Sequence, residues 1–139
     1  MSGAWARERF AAARVARLAT SGESGQPHLV PIVFALDGDT IVTAVDGKPK
    51  SGAPLRRLAN IESNPQVSLL VDAYDEDWTR LWWARADGAA QVVPADSPAG
   101  SRGLARLVER YAPYSANSPP GPVIVISVQR WSGWSAESR

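Results

Sequence analysis

The sequence predicts a mainly β domain in which six or seven antiparallel strands close into a barrel or a sandwich, with helices inserted between them. Short runs rich in β-branched and other apolar residues recur along the chain, and turn-forming residues bound each run. The first three runs are joined only by short turns, as in a meander, and such antiparallel runs usually close on themselves. Strands and helices do not alternate regularly, so the pattern does not require a parallel sheet.

The N-terminal third of the chain predicts one helix and three strands. Residues 5–13 are rich in alanine, the best helix former, and predict a helix. The strands are expected at 15–20, 28–36 and 40–45. Pro31 cannot donate a ladder hydrogen bond, so it marks an edge, a bulge or a bend in the second strand. The Asp37-Gly38-Asp39 sequence predicts the hairpin turn that leads into the third strand.

The remainder predicts two helices and three more strands. The strands are expected at 67–72, 81–93 and 123–128. Gly88 is expected to bend the fifth strand. The helix over 55–64 ends at Asn64, because a residue that precedes proline avoids the helical region. Asp96-Ser97-Pro98 has the chemistry to start the last helix, and residues 113–122 are expected to form a loop.

Composition limits the classes of function. The chain has 139 residues, enough for one domain over 1–139 with its own core. Its 15 Lys and Arg against 14 Asp and Glu leave a net charge of +1, which argues against a bulk nucleic-acid binder. The absence of cysteine excludes a thiolate nucleophile and favours a cytoplasmic location, and one histidine excludes the usual multi-histidine metal sites. We expect neither a signal peptide nor a membrane span.

The segment from Asp46 to Arg57 is the strongest local signal. It holds four cations, several turn formers and a predicted helix start. A helix N-terminus already favours anions through its unsatisfied N–H groups, and Arg and Lys add charge-assisted contacts to phosphate. The segment lacks the Walker spacing, so it is not a P-loop. The structural alternative is a solvated basic loop.

Three further features have a plain structural interpretation beside a functional one. The acidic stretch 72–77 lacks the spacing of a calcium-binding EF-hand loop and is expected to be a solvated loop. His28, at a strand start, is expected at the surface or at a dimer edge. Trp82 and Trp83 are adjacent in a strand and point to opposite faces, so one of them is expected to face a subunit interface or a ligand.

A series of segments spanning most of the chain points to a family. After the opening helix they are Ala16-Arg17-Leu18-Ala19-Thr20, Gly25 to Ile32, Lys48 to Ile61, Asn64-Pro65, Val67 to Asp72, Tyr74, Asp77-Trp78 and Gly88-Ala89-Ala90. In this order they resemble the flavin- and deazaflavin-dependent split β-barrel proteins related to pyridoxamine-5′-phosphate oxidase. Within these proteins the chain is most similar to the small actinobacterial branch of coenzyme F420-dependent enzymes.

This resemblance implies an antiparallel split β-barrel of six or seven strands with flanking helices, mainly β within the α+β class. It also implies a homodimer with two cofactor sites at the subunit interface. The cofactor phosphate would be held by Lys48, Lys50, Arg56 and Arg57. The ring would lie against the third-strand backbone near Thr43 and Ala44, with Pro31, Ile32 and Trp78 nearby.

The activity that the resemblance implies is an F420H2-dependent oxidoreductase, which passes a hydride from the reduced deazaflavin to a small organic acceptor. F420 carries a phosphate and a glutamate tail, so four cations in one segment suit it. The cofactor supplies the chemistry, so we assign neither a catalytic residue nor a metal, and Tyr74 or a bound water is only a candidate proton donor. The alternatives are an FMN-binding oxidoreductase of the same fold, or a non-catalytic protein that binds the cofactor or haem.

Overall fold

The computed structural model describes residues 2–45 and 55–137. Within these two ranges, seven strands form one sheet: β1 (Ala16–Ser21), β2 (Pro27–Ile32), β3 (Ala35–Asp37), β4 (Thr40–Ala44), β5 (Gln66–Ala73), β6 (Trp82–Val93) and β7 (Val123–Ser135). The same ranges hold four helices: α1 (Gly3–Ala12), α2 (Arg56–Ser63), α3 (Pro98–Arg110) and α4 (Ala112–Ala116). A single 3₁₀ turn, Trp78–Arg80, joins β5 to β6.

All strand pairs are antiparallel, in the order β2-β1-β5-β6-β7-β4-β3. The two strands at the ends of this order, β2 and β3, are consecutive in the chain and only Val33 and Phe34 separate them. Both edges of the sheet are therefore formed by one stretch of chain, and the sheet must curl round to bring them together. The predicted fold class is confirmed, with seven strands.

The prediction of a single strand over 28–36 is wrong in one respect, because this segment forms two strands, β2 and β3. The break falls at Val33–Phe34, where side chains take over the hydrogen bonds of the backbone. The Phe34 N–H donates to the Tyr111 hydroxyl at 3.2 Å, and the Phe34 carbonyl accepts from Arg110 Nη1 at 2.8 Å. The backbone polar groups of this corner are thus satisfied outside the ladder, as burial requires.

Other predicted boundaries are close to the observed ones, with two corrections. The expected loop at 113–122 overlaps the short helix α4, which runs to Ala116. The last strand continues beyond residue 128 to Ser135 because it pairs with the whole of β6. The bend expected at Gly88 is confirmed by a register shift between Asp87 and Gly88. A Cβ at Gly88 would lie 2.3 Å from the Ser127 carbonyl oxygen, so the close approach of β7 requires glycine there.

The core has two parts, on either side of the sheet. The larger lies inside the barrel, where Phe10 of α1 and Ile61 of α2 pack against inward strand residues such as Leu18, Leu69 and Ile126. The smaller lies under α3, whose Leu107 is fully buried with residues of β4 and β7. None of the helices in the described ranges is long and apolar enough to span a membrane.

The two adjacent tryptophans of β6 lie on opposite faces, as the alternation of a strand requires. Trp82 packs against the inner core, and its ring meets that of Trp5 edge to face at a centroid distance of 6.1 Å. Trp83 lies on the outer face beside Arg85, whose guanidinium carbon is 5.6 Å from the indole centroid. The outer tryptophan is therefore the one left for an interface or a ligand.

A surface ion pair between Asp37 and Arg102 ties the β3–β4 hairpin to α3 and predicts a pH dependence of stability. Asp37 accepts from Arg102 Nε at 2.5 Å, and the hydrogen bond from Arg102 holds the pKa of the Asp37 carboxyl below its usual value. The pKa of Asp37 is lower in the folded state than in the unfolded state, where it is near 3.8, so the ionised carboxylate stabilises the fold at a pH above 3.8. This stabilisation is lost as the pH falls through the folded-state pKa.

We expect the unfolding temperature of Asp37→Asn to fall less than that of the parent as the pH is lowered. Unfolding temperatures of the variant and the parent, measured from pH 7 to pH 3, should converge as the pH falls below about 4. Parallel pH profiles would show that the ion pair does not contribute.

Candidate functional site

The first turn of α2 is the part of the predicted phosphate site that the structure describes. It carries Arg56, which is exposed, and Arg57, which is half-buried. Leu55 at the N-cap offers no side-chain hydrogen bond, and the turn contains no carboxylate. The helix N-terminus and the two guanidinium groups together make a positive end suited to an anion. Lys48 and Lys50 lie outside the described residues.

The helix α2 is held in place from its inner side. Leu58 and Ile61 pack against the inner core. Asn60, which is 5% exposed, donates through Nδ2 to the Thr20 hydroxyl at 3.0 Å. A Cβ at Gly22 would lie 2.7 Å from Asn60 Oδ1, so glycine allows the β1–β2 connection to pass this close to the helix. These contacts fix the basic first turn relative to β1.

Thr43 and Ala44 end β4 at an edge where a ligand can approach the backbone. β3 pairs with β4 only from Thr40 to Val42, so in the described ranges the stretch Thr43–Ala44 has a strand partner on the β7 side alone. The Thr43 hydroxyl donates to the Val33 carbonyl at 2.8 Å, and the side chains of Thr43 and Ala44 are both buried. These residues can therefore meet a ring through their backbone, which is the contact that the resemblance implies.

Pro31 and Ile32 lie at the end of β2 with opposite orientations. Pro31 is exposed on the outer face, opposite Arg17 of β1. Ile32 is 7% exposed and belongs to the inner core. Only Pro31 can present its side chain to a ligand on the outer face, while Ile32 can offer its backbone.

Trp78 is an exposed indole on the connection between β5 and β6. It is 68% exposed, and its Nε1–H donates to the Tyr74 hydroxyl at 3.3 Å. Asp77 caps the 3₁₀ turn by accepting from the Thr79 N–H at 3.1 Å, and Asp75 accepts from the Asp77 N–H at 2.7 Å. Two carboxylates of the acidic loop thus accept hydrogen bonds from the loop's own backbone. The rings of Tyr74 and Trp78 are exposed to solvent.

Two openings next to β1 and β5 contain none of the predicted cofactor residues. One groove, of about 440 Å³, lies on the outer face and includes Arg17, Leu29, Leu70 and Arg85. A neighbouring cavity of about 340 Å³ lies near the β1–β2 turn and includes Asp87. Sequence analysis missed the groove, although the alternation along β1 and β5 already assigns Arg17 and Leu70 to an outward face.

The predicted site residues lie on separate elements of the chain: Pro31 and Ile32 on β2, Thr43 and Ala44 on β4, Arg56 and Arg57 on α2, and Trp78 on the β5–β6 connection. His28, half-buried on β2 opposite Thr20, lies at the edge of the sheet. Among the described residues, no three His, Cys, Asp or Glu side chains cluster as a metal site would require.

Comparison with known proteins identifies the family to which the chain belongs. The family described as pyridoxamine 5′-phosphate oxidase matches residues 4–135. No match is found among curated proteins.

Solved structures share the fold along almost the whole chain. A conserved hypothetical protein from Mycobacterium tuberculosis is 23% identical with a TM-score of 0.75, covering 98% of this chain and 86% of that one. An FAD-binding protein from Mesorhizobium loti is 22% identical with a TM-score of 0.72, covering 96% and 92%. A haem storage protein from Vibrio cholerae is 19% identical with a TM-score of 0.70, covering 93% and 90%. At these identities the likeness establishes the fold alone.

Proposed function

Because the chain belongs to the pyridoxamine 5′-phosphate oxidase family, we propose that it is a cytoplasmic F420H2-dependent oxidoreductase acting on a small organic acceptor. The observation that carries the proposal is the first turn of α2, where Arg56 and Arg57 follow an N-cap residue, Leu55, that makes no side-chain hydrogen bond, and where the turn itself holds no Asp or Glu. Such a turn favours a phosphate-bearing ligand over a neutral one.

The residues on the chain fit an anionic, flat cofactor. Arg56 and Arg57 would hold its phosphate, and Lys48 and Lys50 would add charge for a longer anionic tail. The edge of β4 at Thr43 and Ala44, which β3 does not pair within the described residues, would meet the ring through backbone groups, with Pro31 and Ile32 nearby. The indole of Trp78 offers a stacking surface already held by Tyr74. The bound cofactor would supply the hydride, and the protein would bind it, orient it and exclude water.

Tyr74 is the side chain best placed on its loop to give a proton to a product. Its hydroxyl oxygen accepts the Trp78 N–H, which leaves its own proton available to another group. Because the ring is 68% exposed, this role requires that the second subunit or the cofactor cover it. The proposed active form is accordingly a homodimer with the cofactor at the interface.

FMN is the first alternative cofactor, and the FAD-binding relative favours it. The flavin phosphate would suit Arg56 and Arg57 equally well, whereas only the longer tail of F420 would use both lysines. The second alternative is binding without turnover, of the cofactor or of haem, and the haem storage relative favours it. For haem, the single imidazole of the chain, His28, would be the first ligand to examine.

The protein should be purified from a host that makes F420, and the bound molecule identified by absorbance and mass. Titration of the apoprotein with F420 and FMN then ranks the two, and a steady-state assay with reduced cofactor and a panel of acceptors tests turnover. Tighter binding of F420 together with acceptor-dependent oxidation supports the proposal. Tighter binding of FMN, or binding without oxidation of F420H2 by any acceptor, would replace it with the corresponding alternative.

A further inference from the structure

One face of α3 carries a row of three arginines. Arg102, Arg106 and Arg110 are spaced four residues apart, so they lie on the same side of the helix. Like charges at this spacing repel one another and destabilise a helix, so the row favours anions beside it. Asp37 of β3 lies at one end of the row, where it accepts from Arg102 Nε at 2.5 Å and from Arg106 Nη2 at 3.4 Å. The N-terminal end of the row is therefore neutralised.

The other end of the row has cations without a counter-charge. Arg110 makes no ion pair within residues 2–45 and 55–137, and its hydrogen bonds go to the backbone carbonyls of Ala11, Ala13 and Phe34. Arg14, an exposed neighbour, donates to the Arg110 carbonyl at 3.0 Å and has no carboxylate partner in these ranges either. Burial lowers the pKa of the Arg110 guanidinium, and repulsion by Arg14 acts in the same direction. A bound anion would oppose both effects.

Both arginines at this end keep unused hydrogen-bond donors. A guanidinium has five N–H groups. Arg110 uses one N–H of Nη1 and both of Nη2, so Nε–H and the second N–H of Nη1 have no partner among the described residues. Arg106 uses only Nη2, in its long contact with Asp37. One turn of α3 therefore offers two guanidinium groups that can donate to the same ligand.

A cleft of about 310 Å³ opens beside these two arginines, between α1, β3 and α3. Its lining combines three charged residues of α3 with a small apolar wall from α1 and β3: Arg106, Glu109, Arg110, Ala11, Ala35 and Leu36. The volume is at the lower end of the range for small-molecule sites, which pair apolar walls with a few polar groups in this way. The cleft therefore suits a small ligand that has both an anionic and an apolar part.

The charges around the cleft leave an excess of two positive charges. Among the described residues, four arginines stand against two carboxylates: Arg14, Arg102, Arg106 and Arg110 against Asp37 and Glu109. Glu109 makes no ion pair in the described part of the chain, although it lines the cleft with two arginines. A ligand with two negative charges would balance the excess, whereas a monocarboxylate would balance half of it.

We propose that this cleft binds a small organic phosphate monoester, with the phosphate between Arg106 and Arg110 and the organic group against Ala11 and Leu36. A phosphate monoester carries about two negative charges above pH 7 and has three terminal oxygens for the two guanidinium forks. None of the described residues assigned to the cofactor lines this cleft. The site is thus additional to the proposed cofactor site and does not depend on it.

A bound ligand would link three elements of the fold. The cleft is bounded by the end of α1, by β3 and by α3, and Arg110 already joins α1 to Phe34 through its hydrogen bonds. A ligand that binds only the folded protein raises the unfolding temperature by mass action. We therefore expect phenyl phosphate, the simplest aromatic monoester, to stabilise the protein in proportion to its occupancy of the cleft.

NMR titration of the full-length apoprotein with phenyl phosphate tests the site residue by residue. At pH 7.5 and constant ionic strength, the amide resonances of Ala11 and Leu36 should shift and saturate with one dissociation constant. Benzoate and inorganic phosphate should each bind at least about tenfold more weakly, because one lacks a charge and the other lacks the apolar group. Equal binding of either one would overturn the ligand class.

Three variants test the charges with opposite signs of effect. Arg106→Gln should weaken binding by roughly tenfold or more, which is the loss of one charge-assisted contact. Glu109→Gln should tighten binding by roughly three- to tenfold, because it removes a negative charge from the lining. Arg130→Gln, the same change at an exposed position of β7, should bind like the parent. Arg106 and Glu109 are both exposed, so these variants should fold, which circular dichroism checks.

Phenyl phosphate could also reach the proposed cofactor site, and Arg57→Ala separates the two. This variant should leave the titration at Ala11 and Leu36 within about twofold of the parent. The inference is overturned if these two amides do not shift, if Arg106→Gln binds like the parent, or if Glu109→Gln does not tighten binding. Failure of the protein to bind F420 or FMN would remove the cofactor proposal and leave this site unaffected.

Discussion

Replacing Arg57 with alanine is expected to weaken F420 binding by roughly 10- to 100-fold. The guanidinium lies half-buried in the first turn of α2, and this turn contains no Asp or Glu of its own. A charge-assisted hydrogen bond to phosphate contributes about 1.5–3 kcal/mol when it is partly desolvated. Loss of one such contact corresponds to this change in dissociation constant, measured by fluorescence titration.

Variants of other cations provide the comparison for Arg57. Lys48→Ala and Lys50→Ala should cost less, and their effect should vanish more steeply with added salt, as expected for exposed charges. Arg106→Ala, an exposed arginine on α3, should bind F420 like the parent. The assignment of the phosphate site fails if Arg57→Ala binds as tightly as the parent while Asp77→Ala in the acidic loop does not.

The elements that could be predicted well from the sequence are those determined by residues close together in the chain. β-branched runs are sufficient to place β4 and the start of β7, because these strands are defined by their own side chains. α2 ends at Ser63 as the following Asn64-Pro65 requires. The bend at Gly88 was predictable because glycine inside a strand marks a bulge or a close approach. The basic first turn of α2 followed from residues that are neighbours in sequence.

What the sequence could not predict depends on residues far apart in the chain. The end of β2 before Val33–Phe34 is caused by side chains of Arg110 and Tyr111, 76 and 77 residues away from Phe34. The position of β5 and β6 between β1 and β7 is likewise decided by tertiary packing, because each strand has several similar antiparallel strands as possible partners. The groove on the outer face appears only once that order is known, because the order aligns Arg17, Leu70 and Arg85 in one row.

The corner at Phe34 leads to the second large expected effect, because it joins the two ends of the sheet. Tyr111 is 9% exposed, and its hydroxyl accepts the Phe34 N–H at 3.2 Å. Its single proton is shared between the Phe34 carbonyl at 2.8 Å and the Arg14 carbonyl at 2.9 Å. Arg110 adds hydrogen bonds from Nη1 to the Phe34 carbonyl and from Nη2 to the Ala11 and Ala13 carbonyls. One corner thus links α1, the sheet and α3.

Tyr111→Phe should lower the free energy of unfolding by about 1–3 kcal/mol, because the fully buried Phe34 N–H loses its partner. For a domain of this size the unfolding temperature should fall by roughly 3–10 °C, measured by calorimetry. Tyr74→Phe removes the same atom from an exposed ring and should change stability by less than about 0.5 kcal/mol. Because Arg110 and Tyr111 share the Phe34 carbonyl, their variants should be non-additive. If Tyr111→Phe unfolds at the parent temperature, the strands alone hold this corner and the side-chain hydrogen bonds at Phe34 are dispensable.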